Sequence, residues 1–313
     1  MIHTEETVEE CVEAPTKQYR MAALDLDGTL LHSNHKLSER TKTALHHLHG
    51  KGFLLMIATG RALTSVFEHV KDLRLESIPV VCANGARGVV CGVDDEGTVS
   101  VSELFYNPVP ESIVHRTILE AREMGYVVQY YVNNTIYANP KTDFHRLVCE
   151  KYMALTGAKT VFVEDEFEAA LQLGLPSKLL VLCPVPEQDE MMQHFSSVFR
   201  WSHDGEPPSM VRGSLGWFME MLHPTVCKGN GLALMCHHLN IDVDDVVAFG
   251  DADNDYEFLQ LAGKGVAMKN GQDVVKKVAD QITDFTNNED GVVRTLEAME
   301  NDGTLVFTTS FKL

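Results

Sequence analysis

Basic residues are scarce in this 313-residue chain: 26 Lys and Arg stand against 45 Asp and Glu, a formal net charge of −19. Such a surface repels nucleic acid and anionic membranes, so neither is an expected partner, and an anionic ligand would need a local positive site. Long apolar runs are also lacking, since no segment approaches the ~18 uninterrupted apolar residues that span a bilayer. The opening MIHTEETVEECVEAP is acidic and has none of the basic, apolar, small-residue order of a secretory or transit segment. Residues 1–18 read as a solvated acidic tail. Cysteines fall in no pairing pattern: Cys11, Cys82, Cys91, Cys149, Cys183, Cys227 and Cys236 are odd in number and scattered, with no C-x-x-C. That excludes a disulfide frame and a thiolate zinc site, and it points to reduced thiols in the cytoplasm. The last residues, Phe311-Lys312-Leu313, share two positions with the peroxisomal Ser-Lys-Leu address, but Phe311 stands where a small residue belongs.

What is present is the make-up of a globular protein with a sizeable core, 44% hydrophobic and 23% charged, at a length that suggests two domains. Met21–Leu26, Phe53–Ala58 and Pro79–Ala83 are continuous apolar strands separated by helices at Ser38–His49 and Ala62–Leu73. Strands without alternation imply a parallel sheet covered on both faces. After Asn84-Gly85 the pattern changes to short strands with turn signals (Val89–Gly92, Thr98–Phe105, Tyr126–Tyr131, Thr135–Ala138) and helices near Pro110–Met124, Lys141–Thr156 and Glu187–Phe199. The first pattern then returns in a helix at Lys228–Leu239 and strands at Val246–Phe249 and Gly265–Met268. The expected fold is α/β: a Rossmann-like, doubly wound parallel-sheet core over 19–87 and 215–313, split by an inserted α+β cap domain over 88–214.

Four polar clusters lie at the ends of strands or helix starts in the split domain: Asp25-x-Asp27-Gly28-Thr29, Thr59-Gly60-Arg61, Lys228, and Gly250-Asp251-Ala252-Asp253-Asn254-Asp255. Taken singly each is also an ordinary feature: an acidic turn, a helix cap, a surface lysine, an acid-rich helix start. In an open parallel sheet, however, residues just past the carboxyl ends of neighbouring strands converge on one crevice. Asp25, Asp27, Asp251 and Asp255 would then crowd together, and two like charges at 4 Å repel by about 4 kcal/mol at an effective dielectric near 20. A hard divalent cation removes that penalty, and Mg²⁺ suits a site of few carboxylates, waters and a substrate phosphate. One carboxylate can attack, the next can shuttle a proton, and the turns at Gly28 and Gly60 offer N–H groups to an anion.

In this order the clusters resemble the haloacid dehalogenase-like hydrolases, and more narrowly the Cof-type phosphatases with a large C2-type cap. Ala83-Asn84-Gly85-Ala86, Gly265-Val266-Ala267-Met268-Lys269-Asn270 and Asp290-Gly291-Val292 also look like that subgroup. The resemblance implies an aspartyl-phosphate on Asp25, and Asp27 as the acid that protonates the leaving oxygen and then the base for water. It implies Mg²⁺ on Asp25, the Asp27 backbone carbonyl and Asp251, phosphate contacts from Gly28, Thr59, Gly60, Lys228 and Asn254, and support from Asp255. Dehalogenases and phosphonatases of the superfamily lack an aspartate at the Asp27 position, and the cation-pump ATPases have lysine there. Lys269 departs from the small residue common at its position.

The function expected is therefore Mg²⁺-dependent hydrolysis of a small phosphorylated metabolite, with sugar phosphates among the candidates. The alternatives are a phosphomutase or other phosphotransferase on the same core, and a non-catalytic metabolite sensor. Tyr130, Tyr131, Asn133, Asn134, His145 and Arg146 are cap residues that could face a substrate.

Overall fold

The computed structural model describes residues 17–308 except 186, 201–205 and 214–215. The acidic tail before residue 17, Cys11 and the terminal Phe311-Lys312-Leu313 lie outside the described residues.

Two sheets organise the chain. The larger is built from β1 (Met21–Leu24), β2 (Leu54–Ala58), β3 (Ser77–Cys82), β4 (Arg87–Val93) and β5 (Val99–Tyr106) near the start, and from strands near the end described below. The second contains β6 (Val127–Val132), β7 (Thr135–Ala138), β8 (Thr160–Phe162), β9 (Lys178–Leu182), β10 (Ser209–Arg212) and β11 (Phe218–Leu222). The chain then returns to the first sheet with β12 (Val246–Gly250), β13 (Lys264–Ala267) and β14 (Gln281–Ile282). The strand order is β14-β13-β12-β1-β2-β3-β4-β5 in the first sheet and β10-β11-β9-β6-β7-β8 in the second. From β14 to β3 every pairing is parallel.

β1 is apolar throughout because both its faces are covered. Ala22 and Leu24 pack in one cluster with Leu45 and Leu48 of helix α1 (Glu39–Gly50) and with Leu296 and Met299 from the end of the chain. Met21 and Ala23 pack in the other with Leu232 and Met235. After α1 the helices are, in chain order, α2 (Phe67–Leu73), α3 (Glu111–Glu123), α4 (Asp143–Thr156), α5 (Glu168–Leu173), α6 (Gln188–Arg200), α7 (Lys228–Leu239), α8 (Tyr256–Leu261), α9 (Asp273–Lys276) and α10 (Gly291–Asn301); α7 supplies Leu232 and Met235, and α10 supplies Leu296 and Met299. Helices α3 to α6 belong to the second unit, whose core joins Tyr130, Leu179, Val181, Phe195 and Met221.

The doubly wound parallel core is as expected, and its inserted unit is α+β, but two limits of that unit are corrected. β4 and β5, expected to open the insertion at residue 88, are instead an antiparallel hairpin continuing the first sheet beyond β3. β5 is the edge strand and its residues are exposed or half-buried, so in sequence the hairpin looks the same as the start of a new domain. At the other end, β11 still pairs with β9 in the second sheet, past the expected return at 215. The polypeptide therefore leaves the first sheet after Tyr106 and rejoins it after Leu222. Among the described residues no helix is long and apolar enough to cross a membrane. Cys82, Cys91, Cys149, Cys183 and Cys236 are buried free thiols.

Candidate active site

The strand order reverses between β1 and β12, since β2 and β3 run outward on one side and β13 and β14 on the other. A ligand crevice forms at the carboxyl ends of the strands at such a switch point. Asp25 follows β1, Thr59 follows β2 and Asp251 follows β12, so the sheet brings these three together at that point. Asn254 and Asp255 sit on the short 3₁₀ turn Asp253–Asp255. Lys228 is the first residue of α7, whose N-cap is Cys227. A cation there opposes the helix dipole, and two acids offset it. Lys228 Nζ donates to Asp25 Oδ1 and to Asp255 Oδ1, each at 2.6 Å.

All three charged groups of that array are buried, Lys228 at 1%, Asp25 at 5% and Asp255 at 0% exposure. The second oxygen of Asp255 is also occupied. Oδ2 accepts from the backbone N–H of Asp251 at 2.9 Å and of Ala252 at 3.1 Å, which shapes the turn after β12. Asp251 receives the Thr29 hydroxyl on Oδ1 at 2.9 Å. Gly28, at φ +80°, lies against the same carboxylate, where a Cβ would stand 2.3 Å from Asp251 Oδ2. Only glycine leaves that space open without strain.

Asp25, Asp251 and Asp255 each bring an oxygen within 4.8 Å of the others. Burial pushes the Asp25 carboxyl well above its ordinary value, with Lys228 opposing and Asp255 and Asp251 adding to the rise. Burial, then the charge of Asp255, pushes Asp251 up to about 6. The Lys228 ammonium is lowered by burial but raised further by Asp25 and Asp255, so it stays charged. Three carboxylates facing one ammonium leave excess negative charge, and the donors are all hard oxygens. This set fits a small divalent cation. Because Asp255 is spent on Lys228 and two amides, Asp25 and Asp251 are the carboxylates with oxygen to spare for it.

Asp27 takes a different partner. Arg61 grips it with two parallel bonds, Nε to Oδ2 and Nη2 to Oδ1, both 2.6 Å. His35 Nδ1 lies 3.0 Å from the same Oδ1. Burial pushes the Asp27 carboxyl up, but the hydrogen bonds and charges of Arg61 and His35 outweigh it and hold the group below its usual value. Arg61 is itself braced by the buried His69, whose Nε2 is 3.1 Å from Nη1. Thr59 Oγ1 accepts the Arg61 N–H at 3.2 Å, which leaves the hydroxyl proton for another acceptor. Gly60 and Asn84 are in contact at this turn, a Cβ on Gly60 falling 2.9 Å from Asn84 Oδ1. Asn254 Nδ2 donates to that same Oδ1 at 2.8 Å.

A family model described as haloacid dehalogenase-like hydrolase matches residues 22–296. The chain belongs to the haloacid dehalogenase-like hydrolases. Among its curated relatives, 5-amino-6-(5-phospho-D-ribitylamino)uracil phosphatase YitU of Bacillus subtilis is 30% identical over 287 residues, covering 90% of this chain and 97% of that protein. The chloroplastic endoribonuclease YBEY of Arabidopsis thaliana is 27% identical over 277 residues, 86% of this chain. The match spans only 44% of that longer protein. A crystal structure of a haloacid dehalogenase-like hydrolase from Bacteroides thetaiotaomicron superposes with a TM-score of 0.74 at 25% identity, covering 90% of this chain and 100% of that one. As a member of this family the chain is an enzyme, in a branch whose named relatives include phosphatases.

Lys269 is exposed, and its Nζ donates to the Asp284 carbonyl at 3.0 Å. Of the candidate cap residues, Tyr130 is fully buried with its hydroxyl on the Gly174 carbonyl, and Tyr131 bonds Gln129. His145 bridges Gly125 and Lys141, Asn133 bonds the Leu173 carbonyl, Asn134 accepts from Arg87, and Arg146 lies over the Phe162 ring. Tyr131, Asn133 and Asn134 also line a cavity together with Ala62, Thr64 and Ala83. Sequence reasoning had named Arg61 only as a neighbour of Thr59, and it missed Lys178 and Glu220 altogether. Both are single charges inside apolar runs, Lys178-Leu179-Leu180-Val181-Leu182 and Phe218-Met219-Glu220-Met221-Leu222. A charge that survives within a buried strand was the available signal.

Proposed function

We propose that this chain is a Mg²⁺-dependent phosphatase that hydrolyses a small phosphorylated metabolite through an aspartyl-phosphate. One observation carries the reading: the buried array of Asp25, Lys228 and Asp255, with Asp27 two residues past Asp25 on the other side of the crevice. Lys228 holds one oxygen of Asp25, which leaves Oδ2 to attack phosphorus. The new bond joins Asp25 to the phosphoryl group as the bond to the leaving oxygen breaks, and Asp27 delivers a proton to that oxygen. Water then attacks the aspartyl-phosphate, giving its proton to Asp27. Phosphate leaves and the Asp25 carboxylate is restored.

Arg61 keeps Asp27 ionised in the state described here, so the carboxylate is free of its proton, while the guanidinium that favours the charge also makes it a weaker base. The acid half of the cycle requires Asp27 to exchange Arg61 for the leaving oxygen. Lys228, the Thr59 hydroxyl, the Asn254 amide and the N–H groups at Gly28 and Gly60 would hold phosphoryl oxygens. Phosphoryl transfer asks chiefly for such positioning and charge stabilisation. Asp25, the Asp27 carbonyl and Asp251 would hold Mg²⁺, which supplies positive charge to the phosphoryl oxygens. The substrate is small and anionic, and the cytoplasmic location is supported by the buried, unpaired thiols.

Asp25→Asn tests the reading directly. Phosphate release from a panel of phosphorylated metabolites should fall by roughly 10³-fold or more, while the thermal unfolding midpoint stays within a few degrees of the wild type. Full turnover by that variant would refute the nucleophile assignment, and turnover insensitive to EDTA would refute the metal.

A further inference from the structure

The turn Ala83-Asn84-Gly85-Ala86 has no part in the chemistry above, yet Ala83, Asn84 and Gly85 all have positive φ there. Asn84 is buried and left-handed, at φ +55°. Its amide lies between partners of opposite chemistry. Asn84 Nδ2 donates to Glu220 Oε2 at 2.8 Å, while Asn84 Oδ1 accepts from Asn254 Nδ2 at 2.8 Å. Glu220 comes from β11 in the inserted unit. Its other oxygen, Oε1, accepts from Lys178 Nζ of β9 at 2.5 Å, and the same ammonium donates to the Gly60 carbonyl at 3.1 Å. Leu180 faces Glu220 across the β9–β11 ladder, which puts Lys178 one diagonal step away on the same face. Lys178 is 2% exposed and Glu220 7%.

A continuous path therefore runs from two buried charges of the inserted unit to two turns of the catalytic sheet. Its directions follow from what each group can do. An ammonium only donates and a carboxylate only accepts, whereas a primary amide does both and looks nearly the same turned over. Facing Glu220, Asn84 must present its NH₂ there and its carbonyl to Asn254. Asn254 must then present its NH₂, of which one N–H is taken by Asn84 and the second remains for an anion. With Asn84 reversed, Asn254 would turn its own carbonyl oxygen inward and leave an acceptor elsewhere in place of a donor. Burying an ion pair is a poor way to gain stability, because desolvation consumes the Coulombic gain. As a device for fixing the sense of two amides, the pair has a use that an apolar pair of equal volume could not replace.

We propose that Glu220, balanced by Lys178, is a positioning residue for the phosphate site: through Asn84 it fixes which face of the Asn254 amide meets the substrate. The proposal rests on Asn254 binding a phosphoryl oxygen, as in the function proposed above.

Glu220→Gln is the test, since glutamine keeps the shape but can donate as well as accept. With Mg²⁺-loaded enzyme and p-nitrophenyl phosphate, KM and the inhibition constant of inorganic phosphate should rise together, by roughly ten-fold or more. Asn254→Ala should produce a rise of similar size, and Glu220→Gln added to Asn254→Ala should change neither constant further. Because Glu220→Gln leaves Lys178 without its counter-charge, Lys178→Met/Glu220→Leu serves as a neutral version that offers Asn84 no acceptor, checked for folding by thermal unfolding, with the same rises expected. Unchanged constants in a folded Glu220 variant, beside a clear loss in Asn254→Ala, would overturn the relay and leave the phosphatase reading standing. A loss in Glu220→Gln that adds in full to that of Asn254→Ala would also overturn it. No loss in Asn254→Ala would remove the premise itself, which is a separate failure.

Discussion

Arg61 shows how much one side chain can decide. Its guanidinium sits in a fork against Asp27 and is braced from behind by His69, so the carboxylate has a rigid, charged neighbour on both oxygens. Removing it leaves burial, which raises the Asp27 carboxyl, opposed only by His35. In Arg61→Ala the limb of the pH–rate profile governed by Asp27 should therefore move to higher pH, as recorded from kcat/KM between pH 4 and 9. A limb that stays in place would mean that Arg61 does not tune this acid. At this scale the sequence was readable where polar residues stand at strand ends. Asp25, Thr59, Lys228, Asp251 and Asp255 could be picked out because nothing about packing calls for them there. Arg61 was harder, since an arginine at a helix start is ordinary and its partner is set by the fold. Lys178 and Glu220 stand out only as charges within apolar runs, and their pairing was not readable because it is made across a ladder that no spacing along the chain encodes.

Among the elements, α7 carries the most. Its first residue is the lysine that holds Asp25, and its seat against the sheet is made by glycines. A Cβ on Gly231 would meet Val81 Cγ1 at 2.6 Å and the Gly85 Cα at 2.7 Å. Backbone cannot yield as a side-chain tip can, so Gly231→Ala must lift the helix. Overpacking of this kind costs about 1–3 kcal/mol, to be read from denaturant unfolding. The same shift should lower kcat, because Lys228 moves with the first turn. A variant as stable and as active as the wild type would show that the contact is softer than its geometry. Elements with strong apolar continuity or clear caps were readable to within a residue or two, as with Ser38 capping α1 and with α7 itself. The short strands β8 and β10 and the strands bearing Lys178 and Glu220 were not. Three or four residues give too little periodicity, and an internal charge disguises an apolar run. The helix expected over Ala62–Leu73 is broken into a 3₁₀ turn and α2, the turn facing the site just after Arg61.

For the whole molecule, the balance between negative surface and negative crevice makes metal and proton compete. Asp251, raised by burial and Asp255 to about 6, disfavours the folded state as it ionises. That penalty is absent below the unfolded value of roughly 3.9, and it grows as pH rises through the folded one. A bound Mg²⁺, as proposed above, would offset it only where the carboxyl has lost its proton. The thermal shift produced by Mg²⁺ should therefore be larger at pH 7.5 than at pH 5, measured against EDTA at each pH. Equal shifts, or none, would argue that these carboxylates do not bind the ion. The split architecture was legible because an apolar, non-alternating pattern stops and resumes. Its limits were not, since an edge hairpin and the first strands of an insertion share one pattern.

β1 lies between β2, which begins at Leu54, and β12, which begins only at Val246. A ribosome thus releases Asp25 long before the lysine and the acid that give it purpose exist. Until then the central strand has one open edge, while the intervening unit, encoded without interruption, can close on its own core. The two sides of the crevice consequently come together late in the life of each nascent chain, and a product truncated before β12 would lack Asp251 and leave the β1 edge unpaired.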